Sequence, residues 1–248
     1  MSNRVAFVTG AGSGIGRASA LRLAELGHDL IVQSLTPDGL DELAIEAKEF
    51  GATTTSLTAD FSDIDAVATL WPQVEEALAG RTLDFVYLNA GIAPFGDPTQ
   101  LGEKDLSRLL QINTVAPYGL AVRAAERMTA PGGQIVFTGS GLTRYAYPAL
   151  TGYGMSKITL EYLTTNLAVL LGPKGITVNL LAPGVVDTNI NAGWLRDNDE
   201  AAAATRATSA LGKIAKPADI AEIIGLLAQS TSQAITGQRL DVSMGTEL

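Results

Sequence analysis

Short apolar runs alternate with longer stretches of helical period along almost the whole chain. Val5-Ala6-Phe7-Val8, Leu30-Ile31-Val32-Gln33, Thr53 to Ala59, Asp84 to Leu88, Gln134 to Thr138, Ile176 to Leu181 and Gln238 to Val242 have the length and side-chain type of strands. Arg17 to Leu26, Thr36 to Phe50, Asp63 to Ala79, Glu103 to Met128, Tyr153 to Leu171 and Ala218 to Ala228 read as the helices between them. Strand and helix in alternation, without an internal repeat, predict an α/β fold: a Rossmann-like, doubly wound, seven-stranded parallel sheet.

Local signals set the expected boundaries. Thr36 reads as a helix cap with Pro37 in the first turn, Gly51 as its stop, Gly172-Pro173 as the end of the helix from Tyr153, and Pro217 as the start of the last one. Pro72 is expected to kink its helix or split it in two. The stretch Asn113-Thr114-Val115-Ala116-Pro117 predicts a bend that frees backbone carbonyls for water. From Asn189 to about Ala210 the composition shifts to Asn, Asp, Ala and Thr around Trp194-Leu195-Arg196, which reads as a mobile lid.

Composition narrows the function. With 248 residues, 46% of them hydrophobic, and no Pro/Ser-rich linker, residues 1–248 are expected to form one domain around a sizeable core. A formal charge of −9, with no cluster of Lys and Arg, argues against nucleic acid and for a small-molecule partner. The absence of Cys excludes disulfides, thiolate nucleophiles and thiolate metal sites, and His28 is the only histidine, so no metal site is expected. No basic n-region with an apolar h-region precedes the first strand, and no run of 18 uncharged apolar residues follows. A soluble cytoplasmic protein without a membrane partner is the expectation.

The first strand runs into Thr9-Gly10-Ala11-Gly12-Ser13-Gly14-Ile15-Gly16 and then into a helix. Glycines there permit positive φ and a close backbone approach to a pyrophosphate, and the helix N-terminus attracts its charge. At the end of the second strand stand Ser34 and Leu35, neither the acidic residue that would bind ribose hydroxyls nor an Arg for a 2′-phosphate. Asp60 ends the third strand, either as an acceptor for an adenine amino group or as a cap for the next helix. Asn89-Ala90-Gly91 ends the fourth, where ligands sit in open α/β sheets. Tyr153 and Lys157, four apart on a helix, set an ammonium beside a phenol; a neighbouring positive charge favours the phenolate and suits the pair to proton transfer.

In this order and spacing, Thr9 to Gly16, Asp60, Asn89-Ala90-Gly91, Asn113, Ser140, Tyr153-x-x-x-Lys157, Pro183-Gly184 and Thr188 closely resemble the short-chain dehydrogenase/reductase family, in its compact branch of about 250 residues. The resemblance implies an NAD(P)-dependent oxidoreductase that transfers a hydride between a nicotinamide and a secondary alcohol or ketone. It implies Tyr153 as general acid/base, Lys157 as the group that depresses its pKa and binds the nicotinamide ribose, Ser140 as the partner of the reacting oxygen, and Asn113 as the holder of a water between Lys157 and solvent. Gly10, Ser13, Gly14, Ile15 and Gly16 would wrap the pyrophosphate, Asp60 and Phe61 would lie at the adenine, and Asn89, Ala90 and Gly91 would support the cofactor. Pro183, Gly184, Val186 and Thr188 complete the implied cofactor site, Thr188 at the carboxamide. With no carboxylate after the second strand, Ser34 and Thr36 are free to bond a 2′-phosphate, which leans the choice toward NADP(H).

The substrate expected is a small polar carbonyl compound, polyol, sugar or hydroxy acid, contacted by Phe95, Arg144, Tyr147, Trp194 and Arg196, with either arginine available for an anionic group. The resemblance also suggests a homotetramer built partly on the helices Glu103 to Met128 and Tyr153 to Leu171. The stretch Asp241-Val242-Ser243-Met244-Gly245 departs from the usual family ending. The competing readings are a catalytically silent dinucleotide-sensing or scaffold protein of the same fold, and elimination chemistry using the Ser and Tyr without a nicotinamide.

Overall fold

A computed structural model describes residues 4–94 and 96–248. Side chains alternate along each strand and so must find cover on both faces of the sheet. In β1 (Arg4–Thr9), Val5 and Phe7 enter one apolar core while Ala6 and Val8 enter the other; in β4 (Phe85–Leu88), Val86 and Leu88 oppose Phe85 and Tyr87 in the same way. Burial on both faces is why these central strands are apolar without alternation.

β2 (His28–Ser34), β3 (Thr54–Thr58), β5 (Gln134–Thr138), β6 (Thr177–Pro183) and β7 (Arg239–Val242) complete an all-parallel sheet of order β3-β2-β1-β4-β5-β6-β7. One face is covered by α1 (Gly14–Glu25), α2 (Leu40–Glu49) and α9 (Pro217–Gln229), the other by α3 (Ala66–Leu78), α5 (Ala116–Ala125) and α6 (Thr151–Leu171), with α4 (Glu103–Leu110) against α6. This is the doubly wound parallel fold expected. The strand order reverses between β1 and β4, and the crevice outside the carboxyl ends of strands at such a point is where ligands bind in open α/β sheets.

Two local expectations are corrected, the start of α2 and a split at Pro72, and two further stretches gain detail. The chain from Thr36 to Gly39 is a turn, not the start of α2: Gly39 is left-handed at φ 76°, and the Pro37 carbonyl accepts from the Leu40 N–H at 3.0 Å. Pro-Asp-Gly is turn chemistry, with Pro pre-setting φ and Gly accepting the left-handed position, and here it outweighs the cap-and-proline pattern of a helix start. α3 runs through Pro72 unsplit. The carbonyl that loses its donor belongs to Ala68, an exposed residue, where solvent access makes the missing N–H tolerable. The bend in the fourth helical stretch is a π turn, Gln111–Val115, in which Ala116 N–H reaches back to the Gln111 carbonyl. The stretch 189–210 holds two helices, α7 (Asn189–Leu195) and α8 (Asp199–Ala207), divided at Asp197 with φ 60°. α7 is tethered by the Asn191 amide, which donates to the Val186 carbonyl at 2.8 Å, and by buried Leu195.

Candidate active site

The glycine loop is fixed by contacts that admit no side chain. Gly10 and Gly14 have φ of 67° and 54°, and a Cβ at Gly16 would lie 2.1 Å from the Gly10 carbonyl oxygen and 2.6 Å from the Asn89 amide nitrogen. α1 therefore starts in direct contact with the end of β1. Its N-cap Ser13 makes no side-chain capping bond, so that side chain leaves the first-turn N–H groups to other acceptors. Such a cradle fits a pyrophosphate. Asn89 and Ala90 build the cradle: Asn89 Nδ2 donates to the carbonyls of Thr9 and Gly10 at 3.2 and 3.4 Å, and the Thr9 hydroxyl accepts from the N–H groups of Asn89 and Ala90 at 3.0 and 3.1 Å. Strand ends β1 and β4 are thereby locked across the switch point.

Ser34 stands at the end of β2, beside Gly12, where a Cβ would meet Ser34 Oγ at 2.7 Å and the Asp38 carbonyl at 2.8 Å. The turn correction thus brings Asp38 over the glycine loop, and the Thr36 hydroxyl donates to its carboxylate at 3.0 Å. Asp38 was absent from the expected site. The Pro-Asp-Gly signature was the signal for it. Asp60 is exposed and accepts from the Ser62 N–H at 2.9 Å, a bond that, with the Ser62 hydroxyl, holds its carboxyl below the usual range. Phe61 is 5% exposed and packs in the core.

At the ends of β4 and β5 the expected acid/base residues come together. Lys157, 3% exposed, donates from Nζ to the Thr138 carbonyl at 2.8 Å, and burial lowers its pKa to about 8. A Cβ on Gly91 would lie 3.4 Å from that Nζ and 3.0 Å from Asn113 Oδ1, which gives this glycine a steric purpose. Nζ lies 5.7 Å from the Tyr153 ring centroid. The spacing predicts a phenol drawn toward phenolate, yet burial dominates here: it raises Tyr153 above the ordinary phenol value, and the hydrogen bond to the Ser140 hydroxyl offsets only part of that.

Asn113 is fully buried in the π turn. Its Oδ1 accepts from the Ile92 N–H at 2.9 Å, and its Nδ2 donates to the Ile92 carbonyl at 2.8 Å and to Ser156 Oγ at 3.0 Å. The side chain is a brace between the chain after β4 and α6. Its own carbonyl faces Pro117, which has no N–H to return.

The loop after β6 closes onto the glycine loop. Thr188, 9% exposed, caps α7, and its Cγ2 would lie 3.3 Å from a Cβ on Gly14. Val186 is buried, Gly184 approaches Ser243, and the Pro183 carbonyl faces Gly141. Arg144 pairs with Asp241 at 2.8 Å; Arg196 pairs with Asp187 at 2.8 Å and reaches Asn189 Oδ1 at 3.3 Å. Trp194 Nε1 donates to Asn191 Oδ1 at 3.3 Å. Tyr147 joins Leu142, Tyr145, Pro148, Met155 and Ile158 around a mainly apolar groove of about 400 Å³. Phe95 lies outside the described residues. His28 starts β2 at the opposite end of the sheet, buried and bonded to the Leu23 carbonyl, with burial lowering its pKa to about 4, so it forms no triad with Ser140.

Sheet order, glycine loop and strand-end residues define a Rossmann-type α/β protein. A family model described as enoyl-(acyl carrier protein) reductase matches residues 10–247. Versicolorin reductase stcU of Emericella nidulans is 32% identical, with 99% of this chain and 96% of that protein covered. A short-chain dehydrogenase from Burkholderia cenocepacia J2315, solved in complex with NADP, is 32% identical, covers 98% and 97% of the two chains and gives a TM-score of 0.89. The angucycline C-6 ketoreductase LanV, solved with bound NADP, is 34% identical, covers 98% and 95% and gives 0.90. The chain belongs to the short-chain dehydrogenase/reductase family.

The glycine-loop geometry yields a direct test. Gly16→Ala places a methyl group against backbone and is expected to cost about 1–3 kcal/mol, read as a lower midpoint in urea unfolding; an unchanged midpoint would show that α1 does not sit on the end of β1 as described.

Proposed function

We propose that this chain is an NADP(H)-dependent ketoreductase, interconverting a ketone and a secondary alcohol. The observation that carries the reading is the meeting of Ser140, Tyr153 and buried Lys157 at the strand ends that also hold the glycine loop, with Lys157 Nζ 5.7 Å from the Tyr153 ring centroid. A bound nicotinamide supplies the hydride. The chain's own residues supply position and the proton.

In reduction, the Tyr153 hydroxyl gives its proton to the carbonyl oxygen, and a phenol held above its ordinary value is protonated across the neutral range. Ser140 donates to the same oxygen as negative charge develops there. The Lys157 ammonium, 5.7 Å from the Tyr153 ring centroid, would bind a ribose hydroxyl of the nicotinamide and stabilise the phenolate left behind. Reprotonation runs past Lys157 through a water held by the Asn113 carbonyl, which the following proline leaves without a helical donor. Gly10, Ser13, Gly14, Ile15 and Gly16 would hold the pyrophosphate, and Asp60, the Phe61 backbone, Gly91, Pro183, Gly184, Val186 and Thr188 would serve the rest of the cofactor. Ser34 ends β2 without a carboxylate of its own while Asp38, held by the Thr36 hydroxyl, stands near the same loop, so the choice of NADP(H) rests on the two neighbours of this fold solved with NADP.

The substrate we propose is uncharged and presents a ring or alkyl body. The loop after Ser140 lines a mainly apolar groove with Leu142, Tyr145 and Tyr147, and both loop arginines already hold carboxylates. A homotetramer accounts for the exposed apolar residues Tyr118 and Val122 of α5 and Tyr162 and Val169 of α6, the last two 75% and 80% exposed.

With a panel of cyclic and aromatic ketones and NADPH, Tyr153→Phe should lower kcat by roughly 100-fold or more and leave NADPH binding, read by fluorescence titration, intact. Undiminished turnover sinks the mechanism. Protonated Lys157 is the working form, so kcat/KM for reduction should fall as pH rises through about 8; a profile that is flat on both sides of that value contradicts the assignment. Light scattering should report four copies, and Tyr162→Glu should yield smaller species; a monomeric wild type overturns the tetramer.

A further inference from the structure

Arg239 opens β7 at one edge of the sheet, far in sequence from the acid/base residues, yet its side chain is only 13% exposed. Its guanidinium is a hub. Nη2 donates to the carbonyls of Ser140 and Gly141 at 3.2 and 3.4 Å and to Asp241 Oδ1 at 2.8 Å, while Nε donates to the same carboxylate oxygen at 3.1 Å. Nη1 donates to the Thr143 hydroxyl and to Glu161 Oε1. The Thr143 hydroxyl also bonds Glu161, at 2.5 Å, and lies 3.0 Å from the Ser140 carbonyl. Asp241 in turn holds Arg144, at the end of the short 3-10 turn Gly141–Arg144.

Glu161 stands four residues after Lys157 and eight after Tyr153, on the same ridge of α6. One guanidinium therefore joins two parts that must stay in register: the loop that carries Ser140 and the ridge that carries Tyr153 and Lys157. A planar fork with donors in fixed directions can serve two carbonyls, a hydroxyl and two carboxylates together, which a single ammonium cannot. None of the donors is needed for the cofactor cradle, which lies across the strand order at β1 and β4.

We infer that Arg239 is a positioning residue, clamping the Ser140 loop to the α6 ridge and so setting the Ser140 hydroxyl against the Tyr153 phenol. The clamp rests on the ketoreductase reading. It acts through Ser140 without touching substrate or cofactor.

The test is a double-mutant cycle with Ser140→Ala, measured in kcat and KM for a ketone, NADPH affinity by fluorescence titration and thermal melting. Arg239→Met should lower kcat about 10- to 100-fold, the scale of a misplacement near 1 Å, with NADPH affinity retained, and Arg239→Lys should not restore it. In the Ser140→Ala background the same substitution should add almost no further loss. Equal losses in both backgrounds, or an unchanged kcat, overturn the inference. Where Arg239→Met gives no folded protein, Glu161→Gln, which keeps the partner's shape and leaves Arg239 paired with Asp241, carries the same cycle with the same outcomes. Wild-type reduction slowed by Ser140→Ala shows that the ketoreductase reading stands even if the clamp fails; a wild type inert toward every ketone overturns both.

Discussion

A buried ammonium bonded to a main-chain carbonyl is the constraint around which the site is arranged. Lys157 leaves water to reach the Thr138 carbonyl at the end of β5, and an ammonium taken out of water is costly unless acceptors are fixed in advance. The surroundings meet that demand from several directions. Gly91 keeps its Cβ position empty beside Nζ; Asn113 braces the chain after β4 and the Ser156 hydroxyl of α6; and the Thr138 hydroxyl bonds Tyr87 and Asn89 within the strand edge. Shifting β5 against α6 would disturb all of these together. The same burial lowers Lys157 and raises Tyr153, so one choice of depth in the fold sets the proton inventory of both groups.

That balance bears on direction. A phenol next to an ammonium is usually read as a poised base, and the four-residue spacing alone supports that reading. Depth alters it. Desolvation of the phenol exceeds the help from Ser140, so Tyr153 is held above the ordinary phenol value. Under the proposed function, a reacting oxygen would bind beside Ser140 and Tyr153, and the negative charge that develops there in reduction is what the phenol and the serine hydroxyl would meet.

Legibility from sequence followed the range of the physical signal. The central strands, the glycine loop and the Tyr153–Lys157 ridge were legible because period, glycine spacing and four-residue stacking are local. The π turn was half legible: Asn113 and Pro117 announced a bend, but the bond from Ala116 N–H to the Gln111 carbonyl could not be read from residue types. The start of α2 was misjudged because Thr-Pro suits both a helix start and a turn, and Asp38-Gly39 decided for the turn. Arg239 was invisible for a different reason. Apart from Asp241, two residues on, its partners lie 78 to 99 residues away in the chain, and only the pairing of β6 with β7 brings them to one place.

Charge completes the picture of what the site admits. The chain carries 26 Asp and Glu against 17 Lys and Arg, so its mean field repels anions. Cations around the site are already committed: Arg144 to Asp241, Arg196 to Asp187, Arg239 to Glu161 and Asp241, and Lys157 to the sheet edge. A dinucleotide can still be held, because backbone N–H groups at the start of α1 offer fixed partial charges at a distance of one hydrogen bond. A free carboxylate on the substrate has no comparable partner among the loop arginines unless an ion pair is broken first. Under the proposed function, arginines employed as struts leave a neutral carbonyl compound as the better partner for the phenol.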